Sequence, residues 1–311
     1  MTKPTLSIAI PTYAAEDPGG WEHAVDRARA AEAAGFDRVL VSDHVVFGEN
    51  LEAYGRPELG GTEGGRQPTG PDGHWLEPLT FLTYIAAVTS TIRLGTNILL
   101  AALRRPVVLA KAVATLDVLS GGRVDLGVGI GWQREEYEAA GLDFAKRGAL
   151  LDDSLEALKV LWTSQSATLD VPSLQFERIH MMPKPVQTGG VPLWVSGRVN
   201  ERVARRLARY GSGWIPWGED ADDLGTSIPR MREAVTNAGG NADALQITGN
   251  LVVKRNKEDQ SVDSERTMAD VPQLVAAGVS DFRVFMNAPD TFDEARASLS
   301  EVVEVFRDGT S

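Results

Sequence analysis

Eight short apolar runs, separated by longer stretches of helical period, constrain this chain more than any other feature. The runs are Leu6 to Ile10, Arg38 to Val41, Ile92 to Leu100, Val124 to Gly129, Pro192 to Ser196, Gly213 to Trp217, Leu245 to Val253 and Asp281 to Met286. Each is rich in Val, Ile, Leu or aromatic residues and is bounded by Gly, Pro, Ser or Asn, the pattern of strands covered on both faces. Between them, Leu151, Leu155, Leu158 and Trp162 fall at offsets of 0, 4, 7 and 11, which is one face of a helix. Val203, Leu207 and Tyr210 make a second stripe, and Ala295, Leu299, Val302 and Phe306 a third. Pro106 opens a further helix, where its missing amide is harmless, and Gly121-Gly122 stops it.

Strand and helix alternating eight times imply a closed parallel barrel, because right-handed crossovers wound in one direction leave no free edge once the last strand meets the first. An open doubly wound sheet is the rival arrangement, but no linker or shift in composition divides the 311 residues. The expected fold is a single α/β domain over residues 1–311, a TIM (β/α)8 barrel with insertions after strands 2 and 4. The first insertion, residues 48–76, is dense in Gly with Pro57, Pro68 and Pro71, so no regular element is expected there. The second, residues 165–192, suggests a short hairpin around Leu169 to Phe176. Pro183 and Pro185 then forbid helix, and extended chain across the top of the barrel is expected.

Composition removes several functions. The formal charge of −12 disfavours partners that are themselves polyanions, so neither nucleic acid nor a membrane surface is an expected partner. With no Cys there is no disulfide, thiolate metal site or cysteine nucleophile. No apolar stretch is long enough to span a bilayer and the first residues lack a signal peptide's apolar core, so a cytoplasmic location is expected. The four His show no HExxH and no carboxylates at ligand spacing, and no metal site is expected.

Three strand ends carry candidate chemistry. Asp43-His44 follows the second strand, on the face where barrel enzymes keep their active sites. A titrating imidazole there could exchange a proton with a bound ring system, or simply cap a loop. Gly127-Val128-Gly129-Ile130-Gly131-Trp132 ends the fourth strand. Its spacing is not the dinucleotide fingerprint; alternating glycines let a flat ring approach the backbone, or merely make a tight turn. Ser196-Gly197-Arg198 closes the fifth strand before a helix start, a combination of amides, hydroxyl and guanidinium that suits phosphate, though ordinary capping uses the same residues. Arg202, Arg206 and Arg209 follow and read as a solvated face more readily than as a dock for an anionic tail. Glu135-Glu136 is an adjacent pair on a helix, pointing two ways, and is not an acid-base couple.

Taken in order, Pro11-Thr12-Tyr13, Ser42-Asp43-His44, Arg93-Leu94-Gly95-Thr96-Asn97-Ile98, Leu119-Ser120-Gly121-Gly122-Arg123, Gly127 to Trp132, Arg147-Gly148, Pro183-Lys184-Pro185-Val186-Gln187 and Trp194 to Gly197 resemble the bacterial luciferase-like flavin and deazaflavin oxidoreductases. The resemblance covers roughly residues 5 to 217, and it implies a TIM barrel with a flavin-type ring at its C-terminal mouth. It also implies a cis peptide between Asn97 and Ile98 under the ring, His44 near the reactive face, Gly129, Ile130, Gly131 and Trp132 along one side, and Ser196, Gly197 and Arg198 at the phosphate. Tyr13 and Trp217 are expected in the substrate pocket walls, with Trp75 and the glycine-rich loop as cover.

The most similar subgroup uses coenzyme F-420, an 8-hydroxy-5-deazaflavin, which points to hydride transfer to or from a small organic substrate. Arginine outnumbers lysine 24 to 7, the bias of a GC-rich genome such as an actinobacterium's. The alternatives are an FMN-dependent monooxygenase served by a separate reductase and a non-catalytic flavin- or deazaflavin-binding protein. Relatives that oxidise a sugar phosphate have a glutamate where this chain has Trp132, so their acid-base arrangement does not transfer. The family habit implies a homodimer.

Overall fold

The computed structural model of the protein describes residues 3–310. Its eight barrel strands are β1 (Thr5–Ala9), β2 (Arg38–Val41), β3 (Arg93–Thr96), β4 (Val124–Val128), β5 (Leu193–Gly197), β6 (Gly211–Pro216), β7 (Gln246–Leu251) and β8 (Asp281–Val284). Each pairs in parallel with its chain neighbours, and β8 closes on β1 with Thr5 beside Asp281. One main helix follows each strand: α1 (Glu22–Ala34), α2 (Pro78–Val88), α3 (Pro106–Leu119), α4 (Arg147–Thr163), α5 (Glu201–Tyr210), α6 (Leu224–Asn237), α7 (Val271–Ala277) and α8 (Phe292–Gly309). The outward strand positions Leu6, Ile8, Val39, Leu94 and Leu126 are fully buried, and so are Leu151, Leu155 and Leu158 of α4. That two-sided burial is why the strands read as continuous apolar runs.

The lumen of the barrel is polar. Arg38 of β2 reaches Asp125 of β4 and Asp281 of β8, both at 2.7 Å, and Arg283 pairs with Asp281 at 3.0 Å. Burial alone would push both carboxyls up, but Arg38, with Arg93 beside Asp125 and Arg283 beside Asp281, outweighs it and holds both below the ordinary range. Such a cluster costs several kcal/mol per ion to bury, on the order of what its pairing and hydrogen bonds return. Glycines make the space: a Cβ at Gly213 would lie 2.2 Å from the Trp194 ring, and one at Gly95 would lie 2.9 Å from Arg38 Cδ. Arg283 also donates to Asn97 Oδ1, which ties the lumen to the floor of the mouth above it.

Two expectations need correction. Residues 48–76 hold two 3₁₀ turns, Leu51–Gly55 and Pro57–Leu59, and a short strand, His74–Trp75, paired with Tyr13–Ala14. Glycine density hid them, because single turns need no periodic stripe. The second insertion does form its hairpin, Ala167–Val171 with Leu174–Ile179, but the chain after it crosses the bottom of the barrel. Gln187 Nε2 donates to Val124 O at 2.8 Å and its Oε1 accepts from Arg93 at 3.1 Å, at the first residues of β4 and β3. The reason is topological: this segment joins the end of α4 to the start of β5, and both lie at the bottom. No helix among the described residues is long and apolar enough to cross a membrane.

Candidate active site

Residues at or after the C-terminal ends of all eight strands, with the 48–76 segment that follows β2, enclose one cavity of about 680 Å³ at the C-terminal mouth. The residues expected to face the ring, the phosphate and the substrate all line it, whereas Gly127, Arg209 and Glu136 do not. Tyr13, His44, Trp75 and Trp217 form one part of the wall; Asn97, Ile98 and Gly129 to Trp132 a second; Ser196, Gly197 and Arg198 a third. The Asn97–Ile98 bond is cis, as the resemblance implies. A Cβ at Gly129 would stand 2.2 Å from Ile98 Cδ1, so a side chain there would force Ile98 to move.

His44 is held from two directions. Its Nδ1 lies 3.3 Å from Oε2 of Glu136, a carboxylate that is 1% exposed and whose Oε1 accepts the Val45 amide at 2.6 Å. The ring packs between Phe47 (4.4 Å) and the edge-on rings of Trp75 (5.0 Å) and Trp132 (5.8 Å). With Nδ1 engaged, Nε2 is the nitrogen left to face a ligand. Asp43 has a structural task instead: it accepts two hydrogen bonds from Arg104, at 2.6 and 3.0 Å, and one from the Leu100 amide at 2.8 Å. Tyr13 stacks on Trp75 at 4.5 Å, and burial pushes its phenol above the ordinary range, so it stays protonated.

The anion side is built around the β5–α5 turn. Gly197 has φ of +151°, and a Cβ there would meet Val203 at 2.7 Å. Trp214 Nε1 pins the turn by donating to Gly197 O at 2.8 Å. Two amides of this turn are already engaged: Val199 N donates to Asp220 at 2.7 Å and Val203 N to the Asn200 cap at 3.0 Å. Ser196 Oγ and the Arg198 guanidinium have no such partner among the described residues. Arg206, expected on a solvated face, is 4% exposed and pairs with Asp152 at 2.5 Å, while Arg202 stands at the cavity wall. A turn of helix later Arg209 pairs with Glu156.

Several residues were missed. Glu136, set aside with Glu135 as no acid-base couple, lies on the short helix Arg134–Ala139 after β4 and meets His44 from the loop after β2; no sequence spacing encodes that contact. Its one signal was a carboxylate at the start of a short helix beside a glycine-rich strand end. Tyr54 packs on Trp132 at 5.4 Å, and Trp217 Nε1 donates to Gly61 O at 3.1 Å, so both belong to the closure of the lid loop. Arg147 lines the cavity without a carboxylate partner, and its Nε is buried with no hydrogen bond. Burial pushes that guanidinium below its ordinary range. An orphaned buried donor, two unpartnered groups at a strand-to-helix turn and a glycine floor fit a flat ring carrying an anionic tail.

A family model for luciferase-like monooxygenases matches residues 6–278. The chain belongs to that family. As a luciferase-like enzyme it is an oxidoreductase, and its closed barrel is the architecture the sequence implied. An uncharacterised protein of Mycobacterium tuberculosis is 36% identical over 198 residues, 63% of this chain and 67% of its own length. An F420-dependent glucose-6-phosphate dehydrogenase of Nakamurella multipartita is 29% identical over 276 residues, covering 87% of this chain and 72% of that one. An F420-dependent secondary alcohol dehydrogenase, solved with an F420-acetone adduct, shares the fold at a TM-score of 0.76 and 18% identity, with 99% of this luciferase-like chain and 100% of that one aligned.

Proposed function

We propose that this luciferase-like enzyme transfers a hydride between coenzyme F-420 and a small organic substrate. The observation that carries the reading is the presence of two half-sites in one cavity: a histidine fixed by a buried carboxylate, and a turn whose Ser196 hydroxyl and Arg198 guanidinium have no partner among the described residues. F420 dependence in two of the similar proteins supports it. Beyond Arg198 on α5, Arg202 lines the cavity and shares Asp152 with the buried Arg206, at 3.6 and 2.5 Å, which leaves one net positive charge at that wall. That suits a cofactor whose anionic tail runs past its first phosphate, which FMN lacks.

When bound, the deazaflavin supplies a ring carbon that gives or takes a hydride and forms no oxygen adduct. The chain's residues do the rest. Ser196, Arg198 and Arg147 hold the anionic tail, while Gly129 and the Asn97–Ile98 peptide support the ring. His44, its Nδ1 fixed by Glu136, moves a proton at Nε2 to or from the substrate oxygen. Tyr13, Trp75, Trp132 and Trp217 exclude water. The enzyme acts as a homodimer in the cytoplasm.

Titrating the protein separately with coenzyme F-420 and FMN tests this reading. Quenching of deazaflavin fluorescence with a micromolar or lower Kd, and much weaker FMN binding, is expected; tighter FMN binding would point to the monooxygenase alternative and overturn it. Arg198→Ala should weaken F-420 binding by about 10- to 100-fold, as for loss of a charge-assisted hydrogen bond to phosphate. Tight binding without turnover on any substrate would leave a carrier of the cofactor and no enzyme.

A further inference from the structure

Charge is distributed unevenly around the cavity. Its β4 and β5 side carries Arg147, Arg198, Arg202 and Arg206, of which the last two share Asp152. From β7 through β8 and β1 to β2, the wall consists of Asn250, Phe285, Tyr13, Trp75, Ser42, Asp43 and His44, with no Lys or Arg among them and with its one carboxylate, Asp43, paired to Arg104. The lid adds one charge of each sign, Glu58 and Arg66. Loops on that same side also leave large apolar groups in solvent: Val252 is 69% exposed, Phe285 49%, Val45 53% and Val46 44%. Of these Phe285 lines the cavity itself, an exposed ring at its mouth that an apolar ligand would cover.

From this polarity we infer that the substrate is an uncharged, apolar ketone or the corresponding secondary alcohol, seated on the β7–β2 side, and that carboxylate- or phosphate-bearing compounds are rejected. The inference rests on the F-420 reading, which assigns the arginine side to the cofactor's anionic tail. An anionic substrate on the opposite wall would lose its hydration without gaining a fixed cation, inside a protein of formal charge −12. An alkyl chain there gains burial against Phe285, Tyr13 and Trp75. In the reductive direction the reduced deazaflavin gives a hydride to the carbonyl carbon, the carbon–oxygen π bond breaks, and the oxygen takes its proton from His44 Nε2. The ketone is reduced to a secondary alcohol and the cofactor is oxidised.

The test uses the full-length protein with oxidised F-420 bound, a state in which ketones cannot react, so perturbation of cofactor fluorescence reads affinity alone. Straight-chain 2-alkanones are compared with keto acids of matching length at constant ionic strength. Affinity for the ketones should rise up to about four-fold per added methylene, and each keto acid should bind at least about 100-fold more weakly than its neutral partner. The same ranking is expected in kcat/KM with reduced cofactor. Phe285→Lys should flatten the chain-length trend and narrow the gap to the keto acids. Equal or tighter binding of the keto acids, or no binding of any ketone, would overturn the inference. Failure of F-420 itself to bind would fall on the earlier reading instead, because that titration contains no substrate.

Discussion

At the level of single residues, the arrangement around His44 separates a proton-transfer role from a packing role. Glu136 has two tasks, one at His44 Nδ1 and one at the Val45 amide, and a single substitution divides them. Glu136→Gln keeps the bulk and an oxygen acceptor for the amide but removes the charge that orients the imidazole. The rate of hydride transfer should fall by about 10- to 100-fold, with F-420 affinity within about two-fold and the thermal midpoint nearly unchanged. Glu136→Ala should lose stability as well. His44→Ala should cost more in rate, about 100- to 10,000-fold in single turnover; an unchanged rate would remove the imidazole from the mechanism. His44 itself was legible because it follows a strand end, where topology alone puts it in the mouth. Glu136 was not, since the contact joins a short helix after β4 to the loop after β2, and their meeting depends on how the barrel closes. Arg206 was misread for a related reason: its spacing from Arg202 and Arg209 is that of a helix face, and only the neighbouring α4, with Asp152, shows that face to be covered.

At the level of elements, the strands were legible because burial on both faces leaves an unbroken apolar run, and their inward glycines were not. Those glycines are explained by a lumen filled with Arg38, Trp194 and Arg283 in place of the branched aliphatics usual in such barrels. A mutant pair tests the explanation. Gly213→Ala drives a methyl into the Trp194 ring, 2.2 Å from the ideal Cβ, and should destabilise the protein by about 1–3 kcal/mol, seen as a lower melting temperature. Gly225→Ala, in α6, meets nothing closer than 3.6 Å and should be neutral or stabilising by less than about 1 kcal/mol. Equal effects would mean that the lumen yields easily. The path of residues 180–192 follows the same logic of direction: every strand runs from bottom to top, so whatever precedes a strand arrives at the bottom.

At the level of the whole molecule, the charge of −12 makes self-association costly everywhere except where a face carries little charge. The adjacent helices α2 and α3 provide one. No charged side chain occurs from Pro78 to Val88, and from Pro106 to Leu119 there are only Lys111 and the buried Asp117. On their outer surface Tyr84 is 58% exposed, Val88 37%, Val108 67%, Val118 39% and Leu119 63%. Val108, Ala112, Thr115 and Leu119 lie at offsets of 0, 4, 7 and 11, a stripe that nothing in the described chain covers. The proposed homodimer places this stripe against its twofold mate, since a patch that complements itself closes into a dimer and does not extend further. Light scattering at micromolar concentration should then give about twice the chain mass of 33.5 kDa, and Val108→Glu with Leu119→Glu should return the monomer without abolishing F-420 binding. Salt distinguishes this interface from one made of ion pairs. Each copy repels the other through its net charge, so raising ionic strength from about 0.01 to 0.15 M shortens the screening length from about 30 to 8 Å and should tighten the dimer. A monomeric wild type, or a dimer that salt dissociates, would place the contact elsewhere.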